Sequence, residues 1–444
     1  MRIILSISSL WRSTRQRNFS CLLCSSNNNF STAPNIENTQ NEIEINNQKY
    51  MTDNWTNITP RIISKIGQNL HRQEKHPLGH IKRRIKNYFY KTYLNNAGNP
   101  LFSIYDNINP IVTIQQNFDS LLVPKEHVSR NKTDCYYINQ NLLLRAHTTA
   151  HQAELVAMGL NNFLIVGDVY RRDDIDSQHY PVFHQIDGVR ICTVDEVFEN
   201  VKNSRDLKLF EHRGNENSDK QGCHSFDAVK IMEFDLKNCL VGLAQYLFGK
   251  DIQYRWVNEY FPFTHPSWEL EIFHNGQWME LLGCGIVRQE ILQKAGASER
   301  MGWAFGLGLE RLAMRLYNIP DIRLFWSTDS GFLHQFEVDN ENSPVQYKPV
   351  SIHPQCYNDI SFWLPENETY SSQDFYDIVR EIGGDIIEQI SLIDNFTHPK
   401  TKKTSHCYRI IYRHLERALN QEEVNKIHHQ IENTLKDRLQ VIIR

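Results

Sequence analysis

Val166 to Arg190 reads VGDVYRRDDIDSQHYPVFHQIDGVR. Two apolar arms flank a charged centre, the pattern of two strands joined by a polar loop. Side chains alternate along a strand, so Arg171 and Asp173 share a face of the first arm. Phe183, Gln185 and Asp187 share a face of the second, and Val182, His184 and Ile186 point the other way. A guanidinium, two carboxylates, an amide and an aromatic ring on one surface suit a nucleotide held beside an amino acid, which is what activating a carboxylate requires. Taken alone, YRRDD also reads as a solvated hairpin tip. Gln185 and Asp187 on the inner face weigh against that, because buried polar groups need partners.

Around this stretch the chain has 444 residues, enough for two or three domains, with 40% hydrophobic and 23% charged residues, ordinary for a globular protein. No apolar run approaches the roughly 20 residues of a membrane span, so no membrane partner is expected. The net charge of -4 gives no bulk attraction to a polyanion, and a nucleic-acid partner must be met by a local basic patch. The nine cysteines are dispersed, and only Cys21 and Cys24 form a CxxC, without a second pair at zinc spacing. They read as reduced thiols, with neither a disulfide framework nor structural zinc. Residues 1–36 carry Arg2, Arg12, Arg15 and Arg17, many serines and no acid, the signature of an organelle transit peptide; a disordered tail is the plainer reading.

Residues 37–57, rich in Asn, Gln and Thr, read as a linker, and periodic structure begins near Ile58. His76 to Tyr93 reads as a helix with Pro77 in its first turn. Strands and turns follow from Leu101 to Leu144, and His212 to Gly222 reads as a mobile polar insertion. Val229 to Phe248 is helical, with Gly249 as its stop; strands are expected at Ile252–Phe261 and Trp268–Leu282, and a helix at Gly306–Tyr317. After a boundary at Asn340–Lys348, the order strand, helix, strand, strand, helix, strand, with helices near Ser371–Ile382 and Gln421–Leu435, is the ferredoxin-like pattern.

Attack of a carboxylate on the α-phosphorus of ATP gathers negative charge, so fixed cations beside the phosphate supply most of the catalysis. Arg171 and Arg311, the latter in GLGLER at 306–311, are the candidate pair. Asp173 suits the adenine amino group, and Phe183 with a guanidinium plane suits the ring faces.

Arg171-x-Asp173, His179-xxx-Phe183 and Gly306-x-Gly308-x-Glu310-Arg311 resemble motifs 2 and 3 of the class II aminoacyl-tRNA synthetases. The segments 147–152 (HTTAHQ), 184–188 (HQIDG), 261–264 (FPFT) and 302–306 (GWAFG) are similar to the single-chain mitochondrial phenylalanyl-tRNA synthetases. The resemblance covers about Ile58 to Arg444. It implies an α+β fold: a class II antiparallel sheet with flanking helices over 58–340, then a ferredoxin-like α/β-sandwich anticodon-binding domain over 348–444. It implies ATP as substrate with Mg2+, L-phenylalanine and tRNA(Phe) as partners, a monomer, and the mitochondrial matrix.

Residue by residue, the resemblance puts Arg171 on the α-phosphate, Asp173 on the adenine amino group, His179 on the outer phosphates, and adenine between Phe183 and Arg311. Glu280 joins the ATP set. For phenylalanine it implies His147, Thr149, Ala150, His151, Gln152, Gln185, Ile186, Asp187 and Glu280, with Gln178, His179 and Tyr180 from the loop. Phe261 and Phe263 would meet the substrate ring edge to face, with Ala304 at its para position and Phe305 beside it. Asp173 and Asp187 stand where the family leads one to expect glutamate, each shorter by a methylene.

Other readings of the same residues stay open. Thr149-x-x-Gln152 is equally a helix capping box. Phe261 and Phe263 at period 2 suit a core, and Gly283-Cys284-Gly285 is a tight turn or a close approach to a ligand. For tRNA, Lys400, Lys402, Lys403, Arg409 and Arg413, with Arg417, form the basic patch that fits a phosphate backbone; a solvated loop and strand is its plainer reading. Leu78-Gly79-His80 and the KTKKTS at 400–405 only partly match class I signatures, and no phosphate-binding GxxxxGK[ST] loop is present. The remaining alternative is a synthetase-like RNA-binding protein without catalysis.

Overall fold

The computed structural model describes residues 42–444, apart from 203, 329, 339, 341, 350–352 and 366–369. The transit-peptide reading of 1–36 lies outside the described residues. The stretch read as a linker carries structure from its sixth residue. Strands β1 (Glu42–Ile45) and β2 (Gln48–Met51) form an antiparallel hairpin with Ile45 buried. Asn57 then donates to the carbonyls of Lys132 and Cys135, each at 2.9 Å. Polar side chains here bond backbone of the main body, which composition alone reads as linker.

Helix α1 (Pro77–Thr92) forms as expected, with His76 as its N-cap and Pro77 in the first turn. Its apolar stripe, Ile81, Ile85 and Phe89, is fully buried. Strand β3 (Ser103–Tyr105) follows, then three short strands, β4 (Ile111–Thr113), β5 (Tyr137–Asn139) and β6 (Leu142–Leu144), that make a small sheet of their own. The central sheet adds β7 (Asn162–Tyr170) and β8 (Val182–Cys192), the two arms of the 166–190 stretch. Helix α2 (Phe226–Phe248) starts three residues before the expected Val229, behind a Ser225 cap, and ends at Gly249.

Strands β9 (Gln253–Phe261), β10 (Thr264–His274) and β11 (Gln277–Val287) form a meander. The single strand expected at 268–282 is thus two, joined at Asn275-Gly276, whose positive φ values of 51° and 80° suit a two-residue hairpin turn. Strand β12 (Met301–Gly308) takes up the first three residues of the helix expected from Gly306, and helix α3 (Leu309–Tyr317) begins only after it. The seven strands run in the order β3-β7-β8-β12-β11-β10-β9. All neighbours are antiparallel except β3 and β7.

The two faces of the sheet have different jobs. Leu164, Val166, Ile186, Leu270 and Ile286 join α1 and α2 in the larger core. Phe163, Ile165, Val189, Phe261 and Ala304 face a smaller cluster, and the cavities open on this side. The insertion at 212–222, expected to be mobile, is tied to the sheet ends: Gln221 donates to the carbonyls of His265 (2.8 Å) and Val287 (3.0 Å).

The C-terminal segment gives β13 (Cys356–Trp363), α4 (Ser372–Gly383), β14 (Ile387–Thr397), β15 (Thr404–Tyr412), α5 (Gln421–Leu439) and β16 (Ile442–Ile443). The sheet order is β14-β15-β13-β16, the ferredoxin-like arrangement expected from the sequence. This unit packs on the loop between β7 and β8. Ile175 from the loop is buried in its core, and the N–H of Ile390 donates to the Ile175 carbonyl at 3.1 Å. Arg172 pairs with Asp374 and Asp377, both at 2.7 Å, and Arg380 donates to the Asp173 carbonyl at 2.7 Å.

Candidate active site

Strand β7 ends at Tyr170, so Arg171 and Asp173 lie in the loop and not on a strand face. They still share a surface, because the loop is held from behind by the seam just described. One pairing continues into the loop, Arg171 N–H to the Pro181 carbonyl at 3.0 Å. On β8 the expected alternation holds: Phe183, Gln185 and Asp187 face the cavities, while Val182 and Ile186 are buried in the main core.

Two cavities adjoin on this face. The first, about 690 Å³, is lined by His147, Thr149, Gln152, Asp187, Phe261, Phe263, Ala304 and Phe305 among others. The second, about 620 Å³, is lined by Asp173, Gln178, His179, Tyr180, Phe183, Glu280 and Arg311. Arg171 and Gln185 line both. Gln178, His179, Tyr180 and Glu280, counted above among the phenylalanine contacts, therefore lie on the other side of this junction.

Ala150, His151 and Ile186 line neither cavity. Ala150 belongs to the smaller core, Ile186 to the larger one, and His151 accepts from Arg145 at 3.0 Å. Motif membership had carried these three, although strand parity already turned Ile186 away. Phe118, Ser129, Thr264 and Cys284 line the first cavity and Glu310 the second without having been assigned. Thr264 and Glu310 sat inside recognised motifs; Phe118 comes from a turn and Ser129 from a short 3₁₀ helix, neither with a spacing signal.

The first cavity is apolar at one end and polar at the other. Phe261 and Phe263 stack with centroids 5.8 Å apart and planes at 13°. Gly283 lies in mid-strand, not in a turn, and a Cβ there would stand 2.8 Å from the Phe261 ring. At the polar end several buried groups lack partners among the described residues: both amide atoms of Gln152, Oε1 of Gln185 and Nδ1 of His147. His147 donates through Nε2 to the Asn117 carbonyl at 3.1 Å, and burial lowers its pKa to about 3, so its Nδ1 is an acceptor. Thr149 spans no capping box; its hydroxyl donates to Asp187 Oδ2 at 2.6 Å. Burial raises the Asp187 pKa to about 6, against the opposing bond from Thr149.

The second cavity carries the cations. Burial lowers the Arg171 pKa to about 10, which leaves it charged at neutral pH, and its Nε donates to the Ala146 carbonyl at 2.8 Å. Its guanidinium lies 5.0 Å from the centroid of Phe183. Arg311 stands across from it, 3.8 Å from the Glu280 carboxylate. Burial opposes charge on His179, but its bond to Asp176 at 2.7 Å and the nearby Asp173 outweigh burial and raise its pKa.

The basic patch is divided in the structure. Lys400, Lys402 and Lys403 are exposed at the turn between β14 and β15. Arg409 instead pairs with both oxygens of Asp359 at 2.8 Å, and Arg413 pairs with Glu388 at 2.5 Å. An aromatic group stands beside the lysines: Trp363 and His398 with centroids 6.4 Å apart, and Arg444 lying 5.3 Å over Trp363. His398 was counted with the basic stretch, but Trp363 and Arg444 are far from it in sequence and were not foreseen.

A seven-stranded sheet presenting one arginine from a strand-loop-strand unit and another from the helix after its neighbouring strand is the core of a class II aminoacyl-tRNA synthetase. The family model "tRNA synthetases class II core domain (F)" matches residues 62–206 and 221–336, and "Ferredoxin-fold anticodon binding domain" matches 351–444. The chain is 57% identical to "Probable phenylalanine–tRNA ligase, mitochondrial" of Drosophila melanogaster, over 91% of this chain and 92% of that protein. It is 55% identical to the mitochondrial phenylalanine–tRNA ligase of Mus musculus, over 88% and 86% of the two chains. The corresponding enzyme of Saccharomyces cerevisiae is 39% identical over 90% of this chain and 95% of its own. Within the class II synthetases, the chain belongs to the mitochondrial-type phenylalanine–tRNA ligases.

Proposed function

We propose that the chain joins L-phenylalanine to tRNA(Phe) in two steps. A carboxylate oxygen of phenylalanine attacks the α-phosphorus of ATP; the bond to the bridging oxygen breaks and pyrophosphate leaves. A ribose hydroxyl of the terminal adenosine of tRNA then attacks the acyl carbon of the adenylate, and AMP leaves. The observation that carries this reading is the junction itself: an apolar cavity with polar groups at one end meets a cation-lined cavity, and Arg171 and Gln185 line both.

Phe261, Phe263 and Ala304 would take the aromatic ring. Asp187, Gln185 and His147 Nδ1 would accept from the ammonium group, and Gln152 offers a donor and an acceptor beside them. Arg171 would hold the α-phosphate and stabilise its developing charge, with Arg311 and Phe183 on adenine, Asp173 on its amino group and His179 on the outer phosphates. Mg2+ would accompany ATP and offset its phosphate charge, with Glu280 one of three carboxylates, beside Asp173 and Glu310, that line this cavity. The three lysines and the Trp363–His398–Arg444 group would meet the anticodon arm, the lysines on phosphate and the aromatic rings on bases. A monomer in the mitochondrial matrix completes the reading, supported by one chain holding both modules and by its similarity to mitochondrial enzymes.

Phenylalanine-dependent exchange of pyrophosphate into ATP by the purified protein tests the first step. Absence of exchange with tRNA binding intact would favour the RNA-binding alternative. Arg171, Glu280 and Arg311 lining one cavity weigh against it.

A further inference from the structure

The ladder between β8 and β12 ends at Gln185 opposite Gly308, yet β8 continues back to Val182. Past that point the N–H of His184 would be a buried donor with no strand to receive it, a costly state. Glu310, in the first turn of α3, receives it in place of the missing strand. Its Oε2 accepts from the His184 N–H at 2.8 Å and its Oε1 from Nδ1 at 2.7 Å. The imidazole and carboxylate side chains are 0% and 4% exposed, so neither bond competes with water. A carboxylate accepting from a backbone N–H and a ring nitrogen places the imidazole proton on Nδ1. The ring is further fixed by stacking on Trp326, with centroids 6.0 Å apart, and by His71 at 5.2 Å.

The neighbours of these two residues are the site. Phe183 and Gln185 flank His184, and Arg311 follows Glu310; all three line the second cavity. One carboxylate therefore joins the strand bearing Phe183 to the helix bearing Arg311. We propose that Glu310 is a positioning residue: through His184 it sets the spacing between Phe183 and Arg311, and so the width of the slot for the adenine of ATP. This rests on the ATP reading above.

Glu310→Gln tests it with nearly the same shape. The amide oxygen can still serve the His184 N–H, but its NH2 then faces a second donor, and relief requires the proton to move to Nε2, which is buried without a partner among the described residues. Pyrophosphate exchange should show KM for ATP raised about tenfold, KM for phenylalanine within twofold of wild type, and a small change in Tm. His184→Leu, which removes the ring donor, should raise KM for ATP similarly. His184→Asn, whose side-chain NH2 can replace Nδ1–H, should restore it. Both KM values changing together in step with Tm would show a merely structural role, and unchanged KM for ATP in Glu310→Gln and His184→Leu would overturn the proposal. Should Glu310→Gln fail to fold, the Leu and Asn pair at position 184 decides alone. Absence of exchange in the wild-type protein would instead sink the ATP reading itself.

Discussion

Asp187 shows what one residue contributes. It is a methylene shorter than the glutamate expected there, and the structure meets the shorter reach with closer surroundings. Thr149 bonds it at 2.6 Å, and a Cβ on Gly306, its partner across the β8–β12 ladder, would lie 2.7 Å from Oδ1. Burial raises its pKa from the ordinary 3.8 to about 6, so between these values the folded protein holds a proton that the unfolded chain releases. Its contribution to stability therefore falls as pH rises through that window, and above it the ionised carboxylate is carried at a cost. Binding an ammonium group needs the ionised form. KM for phenylalanine should rise below about pH 6, approaching tenfold per pH unit, and Asp187→Asn should give a raised KM that is flat with pH. An unchanged profile in the Asn protein would assign the titration to another group. In the proposed reading Ala304, at the far end of the cavity, would reject tyrosine by lack of room and by the cost of burying an unpaired hydroxyl, and an apolar pocket discriminates against an added hydroxyl by only about a hundredfold. Ala304→Gly should raise relative kcat/KM for para-substituted phenylalanines, and unchanged ratios would move the ring elsewhere.

Among the elements, legibility followed the strength of local signals. Helix α1 was plain because His76, Pro77 and the Ile81–Ile85–Phe89 stripe agree. The boundary between β12 and α3 was not, because Gly306, Leu307 and Gly308 are small or apolar in either state and only pairing across the sheet, with Asp187, Ile186 and Gln185 on one side and Gly283 on the other, makes them strand. Asn275-Gly276 was a readable turn signal that the continuous apolar pattern on both sides obscured. On the hairpin between β14 and β15, sequence counted charges but could not pair them. Since Arg409 is matched by Asp359, its replacement by Ala should leave the salt dependence of tRNA binding nearly unchanged. Replacing Lys402 and Lys403 with Ala should flatten the slope of log K against log salt by about one to two units. Equal effects from the two experiments would place Arg409 on the RNA after all.

At the scale of the whole molecule, the seam between the catalytic sheet and the ferredoxin-like unit was invisible in the sequence. Arg172 and Asp377 are 205 positions apart, and nothing in their local spacing links them. Their side chains are 4% and 9% exposed, and removing Arg172 leaves the buried Asp377 only Arg380 at 3.4 Å and the Tyr136 hydroxyl at 3.0 Å. Arg172→Ala should cost about 3 kcal/mol in chemical unfolding. It should also raise KM for ATP, since the loop carrying Asp173 and His179 loses its backing. Loss of stability with KM unchanged would show that the loop holds its shape unaided.

The loop from 171 to 181 is covalently part of one unit and packed into the other, with Ile175 in the core of the second. The two units are therefore not interchangeable parts. A hybrid that joined the catalytic half of one such enzyme to the C-terminal half of another would have to carry the loop's inward residues with the C-terminal donor and its outward residues with the catalytic donor. Every change on one side of that loop is inherited by the chemistry on the other, which ties the drift of the RNA-reading half to the upkeep of the ATP site.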